Sequence, residues 1–408
     1  MKLSNSNIKS TNTINDIKLS ALLEMTKAIN NNLTTPQLLD IYQDILENRL
    51  KVGKLVLFSF STEWTCILKY GFDSSYNHIV FENELLDIKE IETISFSKGS
   101  LSQKFEIIIP VYHKQTPLAF VLLGDIDEKK LKVSSTIKHL PFIQTLTNVM
   151  VVAIENKKLY KSYLQKAAIH KELELAKGMQ KLLFPSKLPN TNFIEVHAIY
   201  LPHQQIGGDY YDLIWINEFE CILCLADVSG KGLAAALLMS NLQAALHVLV
   251  KYTQNLKEIV IDLNQLICEN AKSEKFISFF IAKYNTKTRE LSYINAGHHS
   301  PLLVSGDKCI PLSLGCTLLG ITNPIEFIES ESIIVDKNSL LFAYTDGLTD
   351  TVNNQDISIS QLELENILLK NNFSSCEFIN QAVLFYIEEF KSEMPFVDDI
   401  AMLTCKFK

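Results

Sequence analysis

The residues of this chain best suited to chemistry are acids placed where runs of apolar sequence begin or end. They are Asp209 in GGDYYDL, Asp227 closing CILCLADV ahead of SGKG, Asp346 closing LLFAYTDG, and the adjacent Asp398 and Asp399 opening IAMLTCKF. Strand ends from different strands meet at one rim of a β-sandwich, and carboxylates gathered there repel one another unless a cation neutralises them. Oxygen ligands alone suit magnesium, manganese or calcium. Taken singly, Gly-Gly-Asp and Asp-Gly are ordinary turn sequences. It is the ordered recurrence of strand, acid and glycine that makes these residues a candidate metal site.

The elements that would position these acids occupy the second half of the chain. From Phe193 onward short strand runs are broken by turns: FIEVHAIYL, YYDLIWI, CILCLADV, FISFFIAKYN, ELSYINAG, SPLLVSG, SIIVD, SLLFAYTDG and IAMLTCKF. Helical patterns cover 233–252, 256–271, 361–370 and 376–390. Strands joined in sequence by short turns pair antiparallel, which predicts stacked sheets with helices outside, an α+β architecture, over 190–408.

Upstream, 144–183 contains no Pro and only Gly178, and predicts one long helix up to the break at Pro185. Met179, Leu182 and Leu183 are expected on one apolar face of its last turns, against the C-terminal domain. Val149, Val152, Leu159, Tyr163 and Leu173 have heptad-like spacing, interrupted by Asn156, Lys166 and His170. This makes the segment 151–189 a linker helix and a candidate homodimer element with a weak seam. Residues 18–150 alternate helix and strand signals, with FEIIIPVY and LAFVLLGDI flanking a turn at 113–117 as a hairpin and a further helix starting near Val133 or Ser134. Residues 1–17 read as a flexible, solvated tail.

Composition narrows the partners. The chain has 408 residues and a formal charge of -8, from 38 Lys and Arg against 46 Asp and Glu, with no basic block. Nucleic acid is therefore not an expected partner. No secretory signal pattern opens the sequence, and the apolar stretch 234–250 carries Ser240, Asn241, Gln243 and His247, which suits a core helix over a membrane span. Eight cysteines, mostly inside apolar runs, read as buried thiols of a reducing cytoplasm. Cys221 and Cys224 have the spacing of a zinc or redox pair, yet residues three apart on a strand face opposite ways, so they read as core filler.

With the motifs ELAKGMQKLLFPSKLP, GGDYYDL, LADVSGKGLAAALLMS, INAGHHSPLLV, LGCTLLGI, LFAYTDGLTDT and VDDIAMLT in this order, the chain from about Leu173 resembles the PPM metal-dependent serine/threonine protein phosphatases, in the SpoIIE/RsbU branch. The resemblance implies an αββα sandwich holding two Mn2+ or Mg2+ ions. It places Asp209 as an outer ligand, Asp227 as the ligand shared by both ions with the backbone carbonyl of Val228, and Asp346 and Asp398 as the remaining acids, with Asp399 as the alternative to Asp398. It further implies a water activated by the two ions that attacks phosphorus, with no protein nucleophile. The implied substrate is a phosphorylated regulatory protein, a STAS-type anti-sigma-factor antagonist. The 18–150 segment resembles a GAF sensor domain by pattern alone, which implies a small-molecule ligand whose identity no residue discloses.

Departures from the family pattern are His299, Ser300, Pro301 after NAGH, and the lack of an arginine matching the phosphate-clamping arginine of eukaryotic relatives. Lys231 is nearest to that role, against the plainer reading of a solvated loop lysine. Two other readings fit the residues less well. SGKGLAAA fits the dinucleotide fingerprint through Gly230, Gly232 and Ala235, but Asp227 stands where the first tight turn should begin and parallel strand-helix units do not recur. A catalytically silent adaptor that binds a phosphoprotein would be betrayed by lost metal acids, and all are present.

Overall fold

Strand alternation sets the architecture of the C-terminal half. In β8 (Glu220–Val228), Cys221, Leu223 and Leu225 point into one core, while Ile222, Cys224, Ala226 and Val228 point into another. A strand buried on both faces must be covered on both, which accounts for its nearly continuous apolar run. It also separates Cys221 from Cys224, and both are free thiols.

The computed structural model describes residues 4–60, 63–71, 88–93, 105–126, 140–271 and 274–408. The chain divides into two compact units, Met1–Ala167 and Ala168–Lys408. In the second unit β8 joins β7 (Tyr210–Trp215), β9 (Ile277–Asn285), β10 (Glu290–Ala296) and β13 (Gly315–Cys316) in the order β13-β10-β9-β8-β7, with β14 (Glu331–Ile334) also on β10. A second sheet runs β12-β11-β15-β16-β6, from Lys308–Pro311, Leu302–Ser305, Leu340–Tyr344, Ile400–Phe407 and Ile194–Leu201.

The two sheets share a core that includes Leu223, Phe280 and Tyr293 from one and Leu341, Leu403 and Phe407 from the other. Helices α4 (Leu233–Tyr252) and α5 (Leu256–Ala271) cover the outer face of the first sheet, and α6 (Gln361–Asn371) and α7 (Cys376–Lys391) that of the second. The expected αββα sandwich is the observed one. Among the described residues α4 is the helix long and apolar enough to cross a membrane, but its Leu238, Met239, Leu242 and Leu246 are spent on the sheet core.

The first unit is a five-stranded antiparallel sheet in the order β2-β1-β5-β4-β3, formed by Trp64–Tyr70, Val52–Phe60, Thr116–Ile126, Ile107–His113 and Glu92–Thr93. The 113–117 turn closes the β4–β5 hairpin as expected, with His113 opposite Thr116. Helices α1 (Ser4–Asn30) and α2 (Thr35–Asp44) and residues of α3 (Leu140–Lys181) cover one face through Met25, Tyr42, Leu146 and Met150. Helix α1 starts at Ser4, within the stretch expected as a tail. The expected helix start near Val133 lies outside the described residues. Helix α3 spans 42 residues without a break, as the Pro-free run predicts.

Candidate metal centre

The alternation that builds the inter-sheet core also delivers the acids. Leu213, Leu225, Ala343 and Ala401 all face the shared core. A step of two residues along each strand leads to Tyr211 and then Asp209 before β7, Asp227 near the end of β8, Thr345 just after β15, and Asp399 just before β16. Because β7 pairs antiparallel with β8 and β15 with β16, these strand ends lie at one edge of the sandwich. Direct contact closes the edge between the sheets: Thr345 Oγ1 donates to Asp209 Oδ2 at 2.8 Å. The second acid of GGDYYDL, Asp212, has the opposite parity and faces the other way, where it pairs with His247 Nε2 at 2.6 Å.

Burial makes this edge expensive to charge. Asp209 is almost fully buried, and desolvation first, then the carboxylates of Asp227 and Asp399, hold its carboxyl well above the usual range. Asp227 is pushed up to about 7, chiefly by burial and then by Asp346. The carboxyls of Asp209 and Asp227 stand close enough for each to perturb the other. Two ionised carboxylates so placed repel one another, and a proton or a cation relieves that repulsion. Asp346 is raised by burial and by Asp350, with the nearby His299 easing it.

The neighbouring acids 398 and 399 have different surroundings. Asp399 is 6% exposed, and its two oxygens accept from His203 N and Gly208 N, each at 2.7 Å. It braces the loop that carries Asp209. Both glycines of GGD are required there: a Cβ on Gly207 would lie 2.1 Å from Asp399 Oδ2, and one on Gly208 would meet the Val228 carbonyl oxygen at 3.0 Å. That second approach also puts the Val228 oxygen beside the acid loop. Asp398 instead stands at the open rim, where Oδ2 meets Lys231 Nζ at 2.8 Å and Oδ1 accepts from Asp399 N at 2.9 Å.

All the sequence-predicted acids are thus brought to one end of the sandwich. Among the described residues, no group of three or more His, Cys, Asp or Glu is arranged as a ready-made metal site. The donor set nonetheless fits a hard divalent cation: carboxylate and carbonyl oxygens only, desolvated and mutually repulsive. Thr345 went unnoticed in the sequence although it stands inside the YTDG motif. Its hydroxyl also accepts from Ala401 N at 2.8 Å, tying β15 to β16 beneath Asp209.

The end of α3 corrects one expectation. Met179 and Leu182 are 69% and 78% exposed, so they do not dock. Gln180, a polar residue that hydrophobic periodicity passes over, is buried and donates from Nε2 to Gly207 O at 2.7 Å. Leu183 packs on the core of the first sheet and Phe184 against Tyr200, Tyr210 and Tyr211. His298 keeps its NAGH position as a buried residue whose Nδ1 meets Ser278 Oγ at 2.8 Å, and Ser278 is the strand partner of Asp227. Burial, then His299, lowers its pKa to about 3, so the ring is neutral.

The C-terminal half resembles known proteins in sequence and in fold. Residues 217–408 match the family described as stage II sporulation protein E (SpoIIE). The chain is 29% identical over 185 residues to phosphoserine phosphatase RsbU of Bacillus subtilis (strain 168), covering 45% of this chain and 54% of RsbU. It is 24% identical over 261 residues to protein IcfG of Synechocystis sp., covering 57% of this chain and 41% of that protein. The chain therefore spans about half the length of these relatives or less. Among solved structures, the SiaA-PP2C domain of Pseudomonas aeruginosa superposes with a TM-score of 0.55 at 16% identity, covering 60% of this chain and 99% of that domain. The C-terminal unit of this chain has the PP2C fold, and over residues 217–408 it is similar in sequence to the SpoIIE family, with RsbU among its relatives.

Proposed function

We propose that this chain is a metal-dependent protein phosphatase that hydrolyses phosphoserine or phosphothreonine on a regulatory protein in bacterial signalling. The observation that carries the reading is the gathering of Asp209, Asp227, Asp346 and Asp398 at one end of the sandwich, with Asp209 buried and the acids raising one another's pKa. Asp209, Asp227 with the Val228 carbonyl, Asp346 and Asp398 would hold two Mn2+ or Mg2+ ions. Asp398 is favoured over Asp399 because both oxygens of Asp399 are engaged by backbone N–H groups.

Two cations held there would supply an activated water at neutral pH and offset charge developing on the phosphoryl oxygens. The chain's part is to place the acids. Thr345 orients Asp209, Asp399 holds the Gly207–Gly208 loop against β16, and His298 with Ser278 backs Asp227 with an uncharged ring. No serine, cysteine or histidine nucleophile is required.

A STAS-type anti-sigma-factor antagonist is the substrate proposed, on the likeness to RsbU. The N-terminal unit is proposed as a GAF-like sensor acting through α3. An apolar groove of about 1010 Å3 in that unit, with Ile29, Val149, Val152, Tyr160 and Leu164 in its walls, is a candidate site for a small ligand. The exposed Leu159 and Tyr163 of α3 make homodimerisation through this helix part of the same reading. A cytoplasmic location is proposed on the free thiols.

Phosphate release from p-nitrophenyl phosphate and from phosphorylated antagonist proteins, with and without Mn2+, tests the reading. Metal-dependent release is expected, with a loss of at least 100-fold in Asp227→Asn or Asp346→Asn at unchanged fold, roughly the effect of removing a central charge-stabilising group. Turnover without metal, full activity in either variant, or a silent wild-type chain that only binds the phosphoprotein would reject it.

A further inference from the structure

Lys231 is no freely solvated loop lysine. Its ammonium lies 2.8 Å from Asp398 Oδ2 and also donates to the Val397 carbonyl at 2.5 Å. Among the described residues it is the cationic side chain ion-paired with an acid of the candidate centre. The side chain remains 40% exposed, and an ammonium has three donors, so one N–H is left for a further acceptor.

The backbone holds the lysine at this place. Gly230 and Gly232 on either side have φ of 90° and 73°, a region open to glycine at little cost. Ser229 is pinned from both sides, its N donating to Phe276 O and its Oγ accepting from Phe276 N, each at 2.9 Å. Lys231 thus projects over the rim from a fixed turn, two residues ahead of α4 and four beyond Asp227.

A divalent cation at Asp398 Oδ2 competes with the ammonium for the electron density of that oxygen and repels its positive charge. The divalent ion carries twice the charge and approaches oxygen at about 2.0–2.2 Å when it is Mg2+-like, so it prevails at Asp398. The ammonium so displaced remains at the rim beside the cations, where a phosphomonoester dianion is the acceptor of matching charge. We propose that Lys231 is the phosphoryl-binding residue of this centre: it caps Asp398 in the metal-free chain and passes to a phosphoryl oxygen once a divalent cation takes that carboxylate. This rests on the phosphatase reading above for its substrate, but its two contacts can be measured without turnover.

The experiment uses the full chain and its Lys231→Met, Lys231→Arg and Lys275→Met variants, with Mn2+ affinity by calorimetry and inorganic phosphate affinity on the Mn2+-loaded protein. Lys275 is the matched control, because its ammonium lies against Gly230, within 2.4 Å of where a Cβ would stand. Lys231→Met should bind Mn2+ several-fold more tightly, having lost the competing ammonium, and bind phosphate about tenfold more weakly, the usual size of a lost charged hydrogen bond. Lys231→Arg should restore phosphate binding in large part, and Lys275→Met should change either affinity by less than about twofold.

Unchanged Mn2+ and phosphate affinities in Lys231→Met would overturn the assignment, as would equal shifts in Lys275→Met, which would mark a general charge effect. If both binding shifts occur while the unaltered chain releases no phosphate from any phosphomonoester, the phosphatase reading fails and the contacts of Lys231 stand. If the unaltered chain turns over and Lys231→Met matches it in both affinities, the lysine assignment alone fails.

Discussion

At Asp227 the protein carries a charge it cannot comfortably hold. Its carboxyl, raised to about 7 from 3.8, keeps a proton in the folded metal-free chain across an interval in which the unfolded chain has already lost it. The folded state binds more protons there, so the stability of the metal-free chain falls as pH rises from about 4 to about 7 and stays lowered above that. A divalent cation replaces the proton. The rise in melting temperature on adding Mn2+ is therefore expected to be larger near pH 8 than near pH 5.5, and metal affinity to weaken below about pH 7. Equal metal-induced shifts at both pH values would contradict the buried carboxyl pair.

The adjacent acids separate by a different measurement. Asp399→Asn leaves at least one of two buried backbone donors poorly matched and should cost about 1–3 kcal/mol in denaturant unfolding. Asp398→Asn breaks a half-exposed ion pair and should stay within about 1 kcal/mol in stability, while it weakens Mn2+ binding. The reverse pattern would exchange the two roles.

Among the elements, α3 carries the sharpest contrast between composition and position. Its last turns present Met179 and Leu182 to solvent and bury Gln180, because the contact to be made is with the carbonyl of Gly207, next to the acid loop. Gly178 stands two residues before this anchor, with no atom within 4 Å of the space a Cβ would take. Gly178→Ala should therefore stabilise the chain by about 0.5–1 kcal/mol, read as a higher unfolding midpoint. A destabilised variant would show that the helix needs the freedom of glycine there.

For the molecule as a whole, the question is whether the N-terminal unit governs the rate at the acid rim. Helix α3 belongs to the first unit up to residue 167 and to the second beyond it, and its last anchor touches the loop that carries Asp209. If control passes along it, the full chain, a fragment beginning near residue 173 and Gly178→Ala should differ in turnover at equal metal, by severalfold between chain and fragment. Three equal rates would remove the case for control through this helix.

Much of this was legible in one dimension. Strand alternation and turn residues are local, so α4 and α5 begin and end where the periodicity of Leu233–Tyr252 and Leu256–Ala271 places them. The acids could be found by their position at strand ends, and the GGD glycines by their motif. What stayed hidden depends on pairing between distant segments. Thr345 joins the centre only because β15 lies beside β16 and across from β7. Asp399 is a brace because the loop before β7 reaches back some 190 residues to it. Gln180 is buried because the backbone of Gly207 lies opposite it, and Lys231 is a partner of Asp398 because a turn held by Phe276 aims it there. Hydrophobic pattern is a property of neighbours in the chain, whereas a polar side chain takes its role from the one atom that the folded chain brings opposite it.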